Sequence, residues 1–146
     1  MSDAEALIRA YYAAFDRGDR EAMLALLAET VTHDVNQGPR ETGKPAFRRF
    51  LGQMDHCYRE AIRDLVVMVD AGGSRAAAEF VVTGEYRATD PGLPAATGQR
   101  YRLPAGAFFE VAEGRITRVT TYYNLQEWLR QVGGQDPRPV GSGQTE

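Results

Sequence analysis

Apolar residues recur at helical spacing near the start of the chain. Ser2 and Glu5 form a capping box before this run, and Gly18 supplies a stop after it. Asp19 then has the character of an N-cap for a second, shorter helix that ends near Glu29. Two helices are therefore predicted, the first with an apolar stripe made by Leu7, Ile8, Tyr11, Ala14 and Phe15.

A short β-rich segment and a third helix follow. Residues 31–36 are too few for a helix and predict a strand, while residues 37–45 carry the glycine and proline typical of a loop. The third helix begins near Gly43, with Pro45 in its first turn, and the helical spacing continues to Ala61. Its apolar positions include Phe47, Phe50, Leu51 and Met54.

From Ile62 onward the pattern changes to that of strands. Residues 62–90 read as two strands joined by the glycine-rich turn AGGS, and a proline-rich excursion over 90–99 leads into a third strand. The segment AEGR turns the chain into the strand ITRVTTYY. Asn124 and Glu127 form a second capping box, which opens a brief helix. Residues 1–132 are predicted as one domain, and residues 133–146, with Val140 as their only large apolar side chain, as a disordered tail.

Three helices followed by a run of strands is the α+β layout. In this layout the helices pack on one face of a largely antiparallel sheet. A curved sheet partly covered by helices leaves a concave pocket, where small domains of this kind bind ligands. The sequence therefore predicts an α+β domain with a central pocket.

Composition limits the classes of partner. The net charge is −3 and the basic residues are scattered, so nucleic acid is not an expected partner. No apolar run is long enough to span a membrane, and the single cysteine, Cys57, fits a reducing compartment. A cytoplasmic protein with no membrane partner is predicted. The spacing of histidine and cysteine matches no metal motif, and the chain lacks a dinucleotide fingerprint, so neither metal nor cofactor is predicted.

The stretch VTHDVNQG places polar groups in an otherwise apolar strand. In a regular strand His33 and Asp34 point to opposite faces, whereas Asn36 shares a face with Asp34. Asp34 is then either a turn carboxylate or a group aimed into the pocket. His33 is either a hydrogen-bonded residue behind the sheet or, because its pKa suits neutral pH, a proton-transfer group.

Three segments in order resemble the nuclear transport factor 2-like superfamily, in particular its ketosteroid isomerase and SnoaL-like branch. They are YYAAFDRGDREAMLALLAETVTHD, TGKPAFRRFL and FFEVAEGRITRVTTYYN, within a likeness that covers residues 5–132. The resemblance implies a cone-like curved, mostly antiparallel sheet with three N-terminal helices on its concave face. It also implies a homodimer, and either an enzyme or a binder of a small apolar molecule, since this fold hosts both.

The resemblance further implies a set of site residues. Asp34 falls at the family's general base and Tyr11 at its oxyanion-hole tyrosine, and His33 is retained as a third catalytic candidate. Gly106 falls where the family has its second oxyanion donor, a protonated carboxyl, so Arg102 on the same strand face is the candidate substitute. The predicted pocket lining comprises Asn36, Phe50, Met54, Tyr58, Phe108, Thr121 and Tyr123.

Three functions are compatible with this set. The first is a cofactor-free acid/base enzyme of isomerase, cyclase or dehydratase type that acts on a small apolar carbonyl compound. The second is a non-catalytic binder of such a molecule, which the glycine at position 106 favours. An epoxide hydrolase-like activity is a weaker alternative, because the catalytic aspartate of limonene epoxide hydrolase falls at Thr121.

Overall fold

The computed structural model describes residues 1–35 and 38–133, which form four helices and six strands. The helices are α1 (Asp3–Asp16), α2 (Arg20–Ala25), α3 (Lys44–Cys57) and α4 (Leu125–Gly133). The strands are β1 (Leu27–Asp34), β2 (Glu41–Thr42), β3 (Tyr58–Val69), β4 (Arg75–Tyr86), β5 (Gln99–Ala112) and β6 (Arg115–Tyr123). None of the helices in these residues is long and apolar enough to cross a membrane.

The strands form one curved, open sheet in the order β2-β1-β6-β5-β4-β3. β1 runs parallel to β6, and every other neighbouring pair is antiparallel. Helices α1, α2 and α3 pack against one face of this sheet, with α1 over β3 and β4 and α3 over β1. The predicted α+β class, with a mostly antiparallel curved sheet and three N-terminal helices on its concave face, is confirmed.

The two faces of the sheet differ in what covers them. The inner face, which the helices cover, carries the main core, and aromatic residues of α1 meet Phe80 and Phe109 there. The outer face carries the alternate residues, including Phe108, Thr120 and Tyr122. Which face a strand residue occupies therefore decides whether it meets the helices or not.

Several predicted helix ends are confirmed by their capping contacts. The backbone N–H of Glu5 donates to Ser2 Oγ at 3.1 Å, and that of Ala22 donates to Asp19 Oδ1 at 3.0 Å. Gly18 ends α1 with φ of +73°, a conformation that glycine adopts without steric cost. The N–H of Glu127 likewise donates to Asn124 at the start of α4.

Two helices are shorter than the sequence predicts. α2 ends at Ala25, not near Glu29, because Leu27 already pairs with Ile116 of β6. α3 ends at Cys57, and Tyr58 pairs with Tyr86 of β4, so the predicted last turn up to Ala61 is strand. Strand pairing outweighs the helical spacing in both places, since propensity is only a weak preference. Of the predicted tail, Gly133 belongs to α4 and the remainder lies outside the described residues.

A β-bulge in β3 changes which residues face the helices. The register with β4 shifts between Arg63 and Val66, and Asp64 has φ of +57°. Before the bulge Ile62 faces inward, whereas after it Val67 packs against the core and Val66 and Met68 point outward, each about half exposed. The bulge thus adds two apolar side chains to the outer face.

Asp16 at the end of α1 ties the helix to the edge strand β3. Because β3 is the last strand in the sheet order, the Ile62 N–H points away from β4 and donates to Asp16 Oδ1 at 2.8 Å instead of to a strand. We expect Asp16→Ala to lower the free energy of unfolding by about 1–3 kcal/mol, because a partly buried N–H is left without an acceptor. Urea denaturation measures this. Asp16→Asn retains an acceptor oxygen, and an equal loss in both variants would contradict this role of the hydrogen bond.

Candidate functional site

Three tyrosines and two carboxylates converge on the inner face, at the end of the sheet next to α4. We call Tyr58, Glu60, Asp90, Tyr101 and Tyr123 the carboxylate–tyrosine cluster. Strands β3, β5 and β6 supply four of its members, and the loop after β4 supplies Asp90. All except the buried Tyr101 are partly buried. The cluster therefore combines titratable groups with limited access to water.

A hydrogen bond between Glu60 and Tyr101 forms the centre of the cluster. The Tyr101 hydroxyl donates to Glu60 Oε2 at 2.5 Å. Burial raises the pKa of Glu60 above its ordinary value, while the Tyr101 hydrogen bond and the positive charge of Arg20 act in the opposite direction. Glu60 is consequently a carboxyl that exchanges a proton closer to neutrality than an exposed glutamate does.

A second tyrosine–carboxylate pair lies beside the first. The Tyr58 hydroxyl donates to Asp90 Oδ2 at 2.6 Å, and Gln53 Nε2 donates to Asp90 Oδ1 at 3.1 Å. Burial raises the pKa of Tyr58, Tyr101 and Tyr123, and the nearby carboxylates raise it further. All three phenols therefore stay protonated near neutral pH and can donate hydrogen bonds.

Aromatic and aliphatic side chains enclose these polar groups. The Tyr86 ring stacks on Tyr58 with centroids 5.4 Å apart, and Trp128 of α4 meets both rings edge-on. The Tyr86 hydroxyl donates to the Pro94 carbonyl and accepts from the Asp90 N–H, which holds the loop over 87–98 against the cluster. The apolar wall also includes Leu93, Ala96, Leu103, Leu125, Leu129 and Val132.

This arrangement can perform acid/base chemistry on an apolar molecule. A carboxyl of raised pKa can accept a proton from carbon, and neutral phenols can stabilise negative charge that develops on an oxygen nearby. Within residues 1–35 and 38–133, no three histidine, cysteine or carboxylate side chains come together as a metal site.

Asp34 lies on the outer face, away from the helices. It pairs in register with Thr120, whose hydroxyl donates to Asp34 Oδ2 at 2.7 Å, and Arg40 binds both carboxylate oxygens at 2.7 and 2.9 Å. The prediction that Asp34 faces the pocket is wrong, because β1 turns its odd-numbered residues inward. The Arg40 hydrogen bonds lower the pKa of Asp34 to about 2, which makes it a weak base near neutrality.

His33 points to the inner face, so the prediction that it and Asp34 face opposite ways is confirmed. Its ring stacks on Phe47 and meets Phe50 edge-on, with centroids 4.3 and 4.5 Å away. Burial lowers its pKa, and Nδ1 has no hydrogen-bond partner in the described part of the chain. The catalytic role predicted for His33 stays a prediction. Asn36, predicted to line the pocket, lies outside the described residues.

Three other predicted site residues of β5 lie on the outer face. Gly106 pairs with the outer-face residue Tyr122, and Phe108 is about half exposed. Arg102 is exposed, and its backbone N–H and carbonyl form hydrogen bonds with the Gln131 side chain. The predictions that Phe108 and Gly106 line the pocket and that Arg102 supplies charge to it are wrong. The physical reason is strand alternation, which gives the inner face to Tyr101, Leu103, Ala107 and Phe109 instead.

The remaining predicted residues lie on the helix-covered side. Tyr11 is buried in the main core against Phe109, and burial raises its pKa. Phe50 packs against the main core, Thr121 lies opposite the inner-face residue Ala107, and Met54 is a partly buried residue of α3. Only Tyr58 and Tyr123 of the predicted set belong to the cluster, and the roles of the others stay predictions.

Glu60, Asp90 and Tyr101 are absent from the sequence predictions. The helical spacing that continues to Ala61 conceals Glu60, which then reads as a polar residue on a helix surface. One signal for it exists, namely the alternation of Tyr58, Glu60 and Ile62, which is the period of a strand. Asp90 has no such signal, because loop residues carry no periodicity.

Comparison with known families and structures gives a consistent result. The family model described as SnoaL-like domain matches residues 8–119. A solved structure from Xanthomonas campestris pv. campestris, provisionally assigned as a polyketide cyclase, is 60% identical with a TM-score of 0.86 and covers 88% of this chain and 96% of its own. A second, from Pseudomonas putida KT2440 and with the same provisional assignment, is 58% identical with a TM-score of 0.87, covering 90% and 98%.

A more distant solved structure shares the fold alone. An epoxide hydrolase of M. tuberculosis is 17% identical, with a TM-score of 0.71, and the match covers 89% of this chain and 84% of that one. No curated protein matches the chain. The chain thus shares its fold with an enzyme.

The position of Asp34 has a measurable consequence for stability. Its folded-state pKa is depressed from 3.8 to about 2, so its stabilising effect is present above pH 3.8 and is lost as the pH falls through about 2. We expect Asp34→Asn to lose about 1 kcal/mol at pH 7, since the Arg40 end of the pair is exposed, and the difference to vanish between about pH 4 and pH 2. Chemical denaturation at several pH values measures it.

Arg40→Gln serves as the partner variant in this test. If the ion pair is the cause, Arg40→Gln and Asp34→Asn should not be additive in the double variant. A stability difference for Asp34→Asn that persists unchanged at pH 2 would show that the carboxylate charge is not responsible.

Proposed function

Because the chain belongs to the SnoaL-like domain family of the nuclear transport factor 2-like superfamily, we propose that it is a cofactor-free acid/base enzyme. Its substrate is a small apolar carbonyl compound that binds against the carboxylate–tyrosine cluster. The reaction is of the isomerase, cyclase or dehydratase type. Glu60 takes the place of the Asp34 base that the family resemblance implies.

The proposed chemistry begins at a carbon next to a carbonyl group. Glu60 accepts a proton as the C–H bond breaks, and the electron pair moves to the carbonyl oxygen to form an enolate. Tyr101 or a neighbouring phenol donates a hydrogen bond to that oxygen. The reaction then ends in one of two ways. The protonated Glu60 returns its proton to a different carbon, or the enolate carbon attacks a second carbonyl and closes a ring. In the second case the π electrons of that carbonyl move to its oxygen, and Glu60 gives its proton to the alkoxide. Loss of water from the resulting alcohol is the dehydratase outcome.

The observation that carries this proposal is the Glu60–Tyr101 hydrogen bond in a largely apolar enclosure. A carboxyl whose pKa is raised by burial is more basic than one exposed to water, and the adjacent phenols remain donors. The two relatives provisionally assigned as polyketide cyclases support the carbonyl substrate class, because polyketide chains carry carbonyl groups at regular intervals.

A non-catalytic binder remains the second candidate. The hydrogen bonds within the cluster favour a binder, since Glu60 and Asp90 each already accept a hydrogen bond from a tyrosine and need no ligand as a partner. An apolar ligand would then bind against Trp128 and Tyr86 without loss or gain of a proton. The two candidates differ in what Glu60→Gln does, because glutamine retains the shape but accepts no proton.

Proton exchange into a simple ketone tests the enzyme without knowledge of the natural substrate. In deuterated water, wild-type protein should accelerate loss of the α-proton NMR signals of 2-tetralone over buffer. Glu60→Gln should reduce this acceleration by about 10²–10⁴-fold, and Glu60→Asp should leave part of it. The wild-type rate should rise with pH as Glu60 ionises, with a midpoint above the ordinary value of 4.5.

Two comparisons make the result specific. Glu113→Gln, in the exposed β5–β6 turn, is the matched control and should behave as wild type. Asp34→Asn should also retain exchange, and its loss would return the base assignment to Asp34. Binding is followed separately with 2-naphthol, an enol mimic, through the fluorescence of Trp128, the only tryptophan. Binding that is retained in Glu60→Gln, with no exchange in wild type, would establish the binder.

We also propose that a second copy of the chain covers the outer face, as a homodimer. Val66, Met68, Phe108 and Tyr122 are each about half exposed on this face, and the Phe108 and Tyr122 rings pack edge-on with centroids 5.6 Å apart. Charged side chains of both signs lie beside them, including the ion pair of Arg118 and Glu110. In a dimer with two-fold symmetry, opposite charges of the two copies can therefore face each other.

Phe108→Glu tests the dimer. It should shift the mass measured by light scattering from a dimer to a monomer, because two buried charges would face an apolar surface. Ala13→Glu adds the same charge at an exposed position of α1 and should leave the mass unchanged. A wild-type protein that is monomeric at high concentration would exclude this proposal and leave the acid/base proposal intact.

A further inference from the structure

We infer that Gly84 is a positioning residue for the carboxylate–tyrosine cluster, because the absence of a side chain there allows the Tyr101 ring to cross β4 and reach Glu60. The catalytic meaning of this inference rests on the proposed function, while its geometry does not. Gly84 lies near the C-terminal end of β4, two residues before Tyr86, where it pairs with strands on both sides and belongs to no turn.

The register of three strands places these residues in one row. Gly84 pairs with Glu60 of β3 on one side and with Tyr101 of β5 on the other. Since neighbouring strands are about 4.8 Å apart, the backbones of Glu60 and Tyr101 are about 10 Å apart. The hydrogen bond between their side chains must therefore pass directly over position 84.

The space above Gly84 is occupied by the ring itself. A Cβ atom at this position would lie 2.3 Å from Cζ, 2.4 Å from Oη and 2.6 Å from Cε2 of Tyr101. These separations are far below ordinary van der Waals contact, which begins near 3.5 Å between carbon atoms. Any residue except glycine would displace the end of the Tyr101 ring, including the hydroxyl that binds Glu60.

The backbone does not explain the glycine. Gly18, Gly73 and Gly114 have positive φ, a conformation that other residues rarely adopt, whereas Gly84 does not. Glycine inside a strand is otherwise unfavourable, since it contributes no side-chain packing and loses more entropy on folding. The structural role of Gly84 is therefore the close approach of Tyr101.

Displacement of the ring changes the environment of Glu60 in a predictable direction. The Tyr101 hydrogen bond favours the ionised form of Glu60, so its loss raises the Glu60 pKa further. Three other titratable or charged groups interact with this pair. Arg20 of α2 lowers the Glu60 pKa, Tyr58 of β3 raises the Tyr101 pKa, and Tyr123 of β6 has its own pKa raised by Glu60 and Asp90. Trp128 of α4 also acts on Tyr101 and lowers its pKa. Gly84→Ala changes none of these residues.

The test is a carbon-13 NMR titration of the Glu60 carboxyl in four proteins: wild type, Gly84→Ala, Tyr101→Phe and the double variant. We expect Gly84→Ala and Tyr101→Phe to raise the Glu60 pKa by similar amounts, with no further rise in the double variant. Gly52→Ala in α3, where a Cβ would meet nothing within 4 Å, is the matched control and should titrate as wild type. The exchange of 2-tetralone should fall about 10²-fold in both single variants.

Defined outcomes would overturn the inference. A Glu60 pKa that rises in Tyr101→Phe and stays at the wild-type value in Gly84→Ala would show that the ring is not displaced. Additive shifts in the double variant would show that the two residues act independently. Because the titration needs no turnover, a wild type without exchange activity would overturn the proposed function and leave this inference standing.

A folding defect in Gly84→Ala is addressed by a compensating change. Leucine is shorter than tyrosine, so Tyr101→Leu removes the atoms that the new methyl group would meet. Gly84→Ala combined with Tyr101→Leu should then be as stable to urea as Tyr101→Leu alone. An equal loss of stability from Gly84→Ala in both backgrounds would overturn the inference, since the cost would not come from Tyr101.

Discussion

The unbroken antiparallel pairing of β4 with β5 is the constraint on which the rest of the structure depends. It runs from Arg75 opposite Glu110 to Tyr86 opposite Gln99 without a shift of register. Because side chains alternate along a strand, this single register decides which residues of both strands face the helices. A slip of one residue would turn Tyr101 and Phe109 to the outer face and the even-numbered residues of β5, such as Arg102 and Phe108, to the inner face, and the core and the cluster would be lost together.

The two faces give the same kind of group opposite properties. On the outer face Asp34 is held ionised by Arg40, so its carboxylate contributes to stability and has little basicity. On the inner face Tyr101 donates a hydrogen bond to Glu60 and the charge of Arg20 acts on it as well, but burial has the larger effect and raises the Glu60 pKa. Environment, and not residue type, separates a structural carboxylate from a candidate base.

The cluster is well satisfied without a ligand, which affects how a substrate would bind. Tyr58 and Tyr101 already donate to carboxylates, and the loop over 87–98 is anchored to Tyr86. Under the proposed function, a carbonyl substrate would therefore exchange one hydrogen bond for another instead of filling an unpaired position. When the Tyr101 phenol turns from Glu60 to the substrate oxygen, Glu60 loses a hydrogen-bond donor, and its pKa rises further.

The sequence by itself determined the local elements and their order. Caps at Ser2, Asp19 and Asn124, the stop at Gly18 and the glycine-rich turns act within a few residues, so their effect can be read from the chain. Alternation likewise showed that His33 and Asp34 face opposite ways. It did not show which of them faces the helices, since that depends on the parallel pairing of β1 with β6. Only the tertiary structure ended α3 at Cys57, turned Glu60 inward and placed Tyr101 across Gly84, because these depend on contacts between strands that are distant in sequence.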